Sequence, residues 1–176
     1  MSAADGKGLV IGSIAARSPF PNRSILLYRK IGDSGESYFQ PGAGELIAAE
    51  LPVGDYEFTS WRVTVEDGSI IPAKPFRIGF RVTSGRAAYL GSYDFQLTLE
   101  PAGTTQFGSS APNSKWVVEV TCTDQSAHDM RIFATRYPAV SQQGVSTIQP
   151  QECRRNLGDG SRYYAQRLRL GPELGL

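Results

Sequence analysis

Between residues 75 and 83 the chain alternates strictly, with Phe76, Ile78, Phe80 and Val82 on one side and Arg77, Gly79, Arg81 and Thr83 on the other. Successive side chains of extended backbone point to opposite faces, so a period of two marks a strand with one buried face and one wet face. The same period dominates the first 120 residues. Seven segments carry it: roughly Gly8 to Ile14, Ser24 to Lys30, Gly44 to Leu51, Asp55 to Glu66, Pro75 to Thr83, Arg86 to Leu99 and Lys115 to Cys122. A chain patterned this way folds as sheets that each hide a face.

Two details refine the strands. Ser84-Gly85 suits a tight hairpin, after which Ala87, Tyr89, Gly91, Tyr93, Phe95, Leu97 and Leu99 continue an apolar set, so the strands on either side are expected to pair antiparallel. After Asp55 the phase slips: Tyr56 and Phe58 point one way, but Trp61, Val63 and Val65 share that face only if one extra residue is inserted near Thr59-Ser60. A β-bulge supplies that residue. From about 125 to 137 the period changes to three or four, with Ala127, Met130, Phe133 or Ala134, and Tyr137 on one stripe, which predicts an amphipathic helix. Asp124 or Ser126 is placed to cap it, Asp129 falls in its first turn, and Pro138 stops it. The expected fold is mainly β: a seven-stranded, largely antiparallel sandwich of Ig-like or prealbumin-like type over residues 8–138, with one C-terminal-side helix. Residues 139–176 read as a less regular basic tail, in which Tyr163 to Leu170 suits a short helix or an added strand.

With 176 residues, 40% of them hydrophobic and 20% charged, the chain has the material for one core and too little charge to stay disordered. A formal charge of +1 argues against a nucleic-acid partner. The positive balance is local: after residue 150, Arg154, Arg155, Arg162, Arg167 and Arg169 face only Glu152, Asp159 and Glu173. With Tyr163 and Tyr164 interleaved, that tail is the candidate interaction surface, since Arg and Tyr are favoured interface anchors. The alternative is a solvated edge segment.

The stretch Leu51-Pro52-Val53-Gly54-Asp55-Tyr56, then Phe80-Arg81-Val82-Thr83-Ser84-Gly85 and Tyr89-Leu90-Gly91, resembles a pattern in uncharacterised bacterial envelope lipoproteins with a prealbumin-like sandwich. The later strand from Trp116 to Val120, the helix at Asp129 and Tyr137-Pro138 are similar to how those proteins continue, so the resemblance spans roughly Gly44 to Val140. Leu-Pro-x-Gly-x-Tyr also occurs in carboxypeptidase-regulatory-like and adhesin stalk modules. The resemblance implies an exported, non-enzymatic protein, periplasmic or outer-membrane-associated, whose leader has been removed, with another envelope protein as partner. The N-terminal stretch holds no lipidation cysteine and no apolar export core, so membrane attachment would run through a lipid anchor outside this chain. It supplies no catalytic residues.

Chemistry is sparse. His128 is the single imidazole and lies on the outer side of the expected helix, and no Gly-x-Ser-x-Gly elbow accompanies it, so a hydrolase is the least favoured function. Glu66-Asp67 and Asp33 with Glu36 are acids beside glycine without the alternating acidic loop of a calcium site. Gly42-Ala43-Gly44 lacks the Lys and hydroxyl of a phosphate loop. No metal or other cofactor is called for. The rings of Trp61, Trp116, Tyr56, Phe58, Phe76, Phe80, Tyr89, Tyr93 and Phe95 mostly fall in phase with the buried faces; two or three exposed in one plane would instead make a platform for cell-wall or surface glycan. Function therefore divides between a protein-interaction or accessory module, which is favoured, and a glycan-binding one. Cys122 and Cys153 suit a loop-closing disulfide better than any zinc pattern. Thiol titration of denatured, unreduced protein made in an oxidising compartment is expected to find no free thiol; two free thiols would exclude the bridge.

Overall fold

The structure, a computed structural model, describes residues 6–18, 22–42, 45–65, 68–72, 76–101, 114–136 and 145–146. All seven expected strands are present, as β1 (Lys7–Arg17), β2 (Arg23–Lys30), β4 (Leu46–Pro52), β5 (Gly54–Val65), β7 (Ile78–Val82), β8 (Ala87–Pro101) and β9 (Ser114–Thr123). Among the described residues the count is higher than seven. Two three-residue strands, β3 (Ser37–Phe39) and β6 (Gly68–Ile70), bring it to nine, and a two-residue strand, β10 (Val145–Ser146), adds a further bridge. These additions are too short to display a period. Helix α1 runs Ser126–Arg136, close to the expected span.

The strands form two sheets that share a core. Sheet A is ordered β4-β1-β8, with β9 and β10 dividing the far edge of β8 between them; sheet B is ordered β3-β2-β5, with β6 and β7 dividing the far edge of β5. Among the described residues six of the eight pairings are antiparallel, but the central pair β1/β8 is parallel, as is β8/β10. Trp61 against Phe95, at 5.6 Å and 80°, and Phe58 against Tyr93, at 5.6 Å and 66°, are edge-on ring pairs that join sheet B to sheet A.

The expected pairing of the strands around Ser84-Gly85 is not what forms. Arg86 N donates to Thr83 O, so the turn exists, yet β7 pairs with β5 in sheet B while β8 lies in sheet A. The turn carries the chain from one sheet to the other. Burial explains the separation: β7 hides alternate residues only, whereas Ala87 to Gly91 of β8 are buried without interruption. A strand covered on both faces belongs in the interior of a layered fold, not as the hairpin mate of a half-wet one. For the same reason β1, buried from Gly8 to Ile14, departs from the half-buried strand expected of it.

The bulge in β5 stands where the phase slip put it. Leu27 pairs with Ser60 and Tyr28 with Phe58, which leaves Thr59 as the extra residue and turns Trp61 inward to 1% exposure. A second bulge departs from the even alternation expected along β8. Ile11 pairs with Tyr89 but Ser13 with Ser92, so two residues, Leu90 and Gly91, oppose Gly12. Ala87 and Tyr89 consequently join the cluster on the outer side of sheet A, while Tyr93, Phe95 and Leu97 join the core between the sheets. Gly91 makes the bulge with φ of 104°, a region that side chains disfavour. Its carbonyl oxygen presses so close to β1 that a Cβ on Gly12 would meet it at 2.8 Å. Gly12→Ala is therefore expected to lower stability by about 1–3 kcal/mol, measured by urea unfolding; an unchanged midpoint would mean the two strands are not packed at this bulge.

Candidate functional site

Three places concentrate polar or exposed groups, and each grows out of the two-sheet arrangement. The first lies under the helix. Asp124 Oδ1 accepts from Ser126 N at 2.9 Å and so caps α1, as its position suggested. The buried stripe is rotated from the expected one: Ala127 is exposed, Met130 and Ile132 are half-buried, and Asp129 and Phe133 are buried at 6% and 1%. Phe133 completes an apolar patch with Leu9, Ile11, Leu46, Ala87 and Tyr89, so the helix closes the outer side of sheet A.

Asp129 is the polar centre of that contact. Its Oδ2 accepts from the Tyr89 hydroxyl at 2.7 Å and from Ser13 Oγ at 2.6 Å. Ser13 and Ser92 hydroxyl oxygens lie 2.8 Å apart, and because the single Ser13 proton is directed to Asp129, Ser92 supplies the proton between them. Helix, β1 and β8 are tied through one carboxyl group. Burial, reinforced by Asp129, pushes the Tyr89 phenol far above its ordinary range, and burial alone raises Tyr93. These are the buried polar groups that alternation could not find, since a helical Asp reads as a solvated or dipole-facing residue. The arrangement joins a serine to an acid without an imidazole: His128 is adjacent in sequence but exposed, as expected of the outer side of the helix. It is a clamp, with every member bonded to another.

The second place is the outer face of sheet B. Ile25 and Leu27 of β2 point there, half-buried, beside Tyr38 of β3, which is 58% exposed. Tyr38 is the exposed ring among the described aromatic side chains; Tyr56, Phe58, Trp61, Phe80, Tyr89, Tyr93 and Phe95 are all buried and Phe76 is half-buried, while the Trp116 side chain lies outside the described residues. Charges frame the patch. Arg29 Nε donates to Glu57 at 2.7 Å, Arg77 lies 3.9 Å from the same carboxylate, and Arg81 grips Asp55 through two bonds at 2.6 and 3.3 Å. The Arg81 guanidinium holds the Asp55 carboxyl below its ordinary range. Arg62 is exposed on the same face.

The third is a cleft of about 300 Å³, bordered by the end of β1, the start of β2 and the segment between β3 and β4. Ile14, Ala16, Asn22, Arg23, Ser24, Gln40, Pro41 and Glu45 line it.

Other residues singled out by sequence fall elsewhere. Asp33 and Glu36 are exposed, Glu36 accepts from Thr59, and no cluster of three or more metal-ligating side chains occurs among the described residues. Gly42 belongs to a turn in which its N–H donates to Leu46 O. Glu66-Asp67, Tyr137-Pro138, Cys153 and the tail residues Arg154, Arg155, Arg162, Tyr163, Tyr164, Arg167 and Arg169 lie outside the described residues. Cys122 is buried at 3% on β9. No helix among the described residues is long and apolar enough to cross a membrane. No protein-family model, no curated protein and no solved structure matches the chain.

Because Ser13, Tyr89 and Asp129 act as a unit, Tyr89→Phe and Ser13→Ala are each expected to cost about 1–3 kcal/mol. Combined in a double-mutant cycle, they are expected to be non-additive; strict additivity would show that they do not share Asp129. The raised phenols add a pH dependence of known sign. Above about pH 10 tyrosines of the unfolded chain release protons that Tyr89 and Tyr93 retain when folded, so stability falls as pH rises through that range. Urea unfolding between pH 8 and 11 is expected to show a shallower decline in Tyr89→Phe than in the parent.

Proposed function

We propose that the protein is a non-catalytic sandwich module of Ig-like or prealbumin-like type, exported to the bacterial envelope, periplasmic or outer-membrane-associated, that works by binding another envelope protein as an accessory subunit. The observation that supports this reading is the contrast between the two outer faces. Helix α1 covers the apolar part of sheet A's, whereas sheet B presents Ile25, Leu27 and Tyr38 framed by Arg29, Arg62 and Arg81. An aliphatic and tyrosine centre with an arginine rim is the composition of a protein interface. With Arg29 held by Glu57 and Arg81 by Asp55, the rim carries both signs and suits a partner whose own rim does the same.

The basic tail, with Arg154, Arg155, Arg162, Tyr163, Tyr164, Arg167 and Arg169, belongs to the same proposal as a second anchoring segment. So does a Cys122–Cys153 bridge, which would close about 30 residues and stabilise by roughly 3 kcal/mol in the chain-entropy model; the burial of Cys122 and the lack of a free cysteine among the described residues support it.

Capture from native envelope in mild detergent tests the reading. A protein held by the parent chain is expected to be lost from a Tyr38→Ala, Arg62→Glu variant whose melting temperature is unchanged. Retention by that variant, together with loss on deleting residues 154–176, would move the interface to the tail alone.

A further inference from the structure

We infer that the cleft between β1, β2 and the β3–β4 segment binds a small, neutral, polyhydroxylated ligand of the size of one sugar ring. The volume, about 300 Å³, sits at the lower end of ligand-sized pockets. Its lining divides into two chemistries. Ala16 and Pro41, both half-buried, supply apolar surface against which the C–H face of a sugar ring can lie, with Ile14 buried beneath them. Asn22, Arg23, Ser24, Gln40 and Glu45 supply hydrogen-bonding groups, four of them planar and fork-shaped. A fork that offers two donors, two acceptors or one of each matches a pair of neighbouring hydroxyls, each of which donates and accepts.

The charges point to a neutral ligand. Arg23 and Glu45 are the ionised groups of the lining and cancel, so the cleft has no net attraction for an anion or a cation. Four of the five polar groups also bond one another in pairs. Arg23 donates to Gln40, Ser24 donates to Asn22 Oδ1 at 3.4 Å, and Ser24 is only 3% exposed.

Glu45 provides an independent observation. Its φ is 66°, the left-handed region that glycine adopts freely and a glutamate does not, and it is the one non-glycine residue of positive φ among the described residues. Glu45 N donates to Gly42 O and Gly42 N to Leu46 O, so a tight turn fixes this conformation at the rim. Backbone strain concentrates where a side chain is needed for function. A carboxylate that accepts from ligand hydroxyls accounts for glutamate at a position that favours glycine.

This inference stands apart from the partner surface, whose exposed centre, Tyr38, is not part of the cleft. The test is a backbone-amide NMR titration of the full chain with glucose and with N-acetylglucosamine as probes, and with acetate and methylammonium as charged controls. Saturable shifts centred on Asn22, Ser24, Gln40 and Glu45 are expected with at least one sugar, at about millimolar affinity. Glu45→Gly is expected to keep or raise the melting temperature while weakening binding at least tenfold, and Gln40→Ala to weaken it with the fold intact. Failure of both sugars to saturate these amides, tighter binding of acetate or methylammonium at the same amides, or unchanged affinity in Glu45→Gly would overturn the inference.

Discussion

The centre of sheet A, where β1 meets the first half of β8, is buried on both faces, and the rest of the molecule follows from that. β1 and β8 run side by side in parallel there, with Val10, Ile14, Ala88, Leu90, Tyr93 and Phe95 turned toward sheet B. Leu9, Ile11, Ala87 and Tyr89 turn the other way and need a cover, which helix α1 provides with Phe133, Met130 and Ile132. Apolar contact alone would let a three-turn helix slide or rotate over the patch. The Asp129 carboxyl, accepting from Ser13 on one strand and Tyr89 on its parallel neighbour, fixes its position. Burying that group is tolerable only because its bonds are made, so the clamp specifies one placement of the helix rather than adding much net stability.

The consequence is a division between the two sheets. At the centre of sheet A the polar groups Ser13, Ser92 and Tyr89 are engaged in holding the helix. Sheet B remains half-wet, with the strict alternation of β7 and the arginine ion pairs on its outer surface. Recognition is therefore proposed on sheet B and at the mouth between the sheets, where Arg23 and Gln40 meet. The Leu51-Pro52-Val53-Gly54-Asp55-Tyr56 motif serves the same architecture: it carries the chain from β4 in sheet A to β5 in sheet B, and the Tyr56 hydroxyl closes the turn on Pro52 O at 2.8 Å.

Strand positions, the helix and the Thr59 bulge were legible because each leaves a periodic trace of apolar residues. Pairing was not. Ser84-Gly85 has the chemistry of a turn, but turn chemistry does not say whether the next strand returns to the same sheet; the uninterrupted burial of Ala87 to Gly91 decides that, and in sequence this stretch reads as an even continuation of the set Ala87, Tyr89 and Gly91. Asp129 was visible only as a first-turn acid, because its partners Ser13 and Tyr89 are far away in sequence and meet it through the parallel pairing. The cleft was invisible for a similar reason: Arg23, Gln40 and Glu45 converge from strand ends and turns, where no period operates.

The central claim is that β8 lies parallel to β1 beneath the helix and is not the hairpin mate of β7. Nuclear Overhauser contacts between backbone protons test it directly. Cross-strand contacts between Ile11 and Tyr89, between Tyr56 and Phe80, and from the Asp129 turn to Ser13 are predicted. A ladder of antiparallel contacts joining residues 78–82 to residues 87–91, with none between Ile11 and Tyr89, would contradict the account.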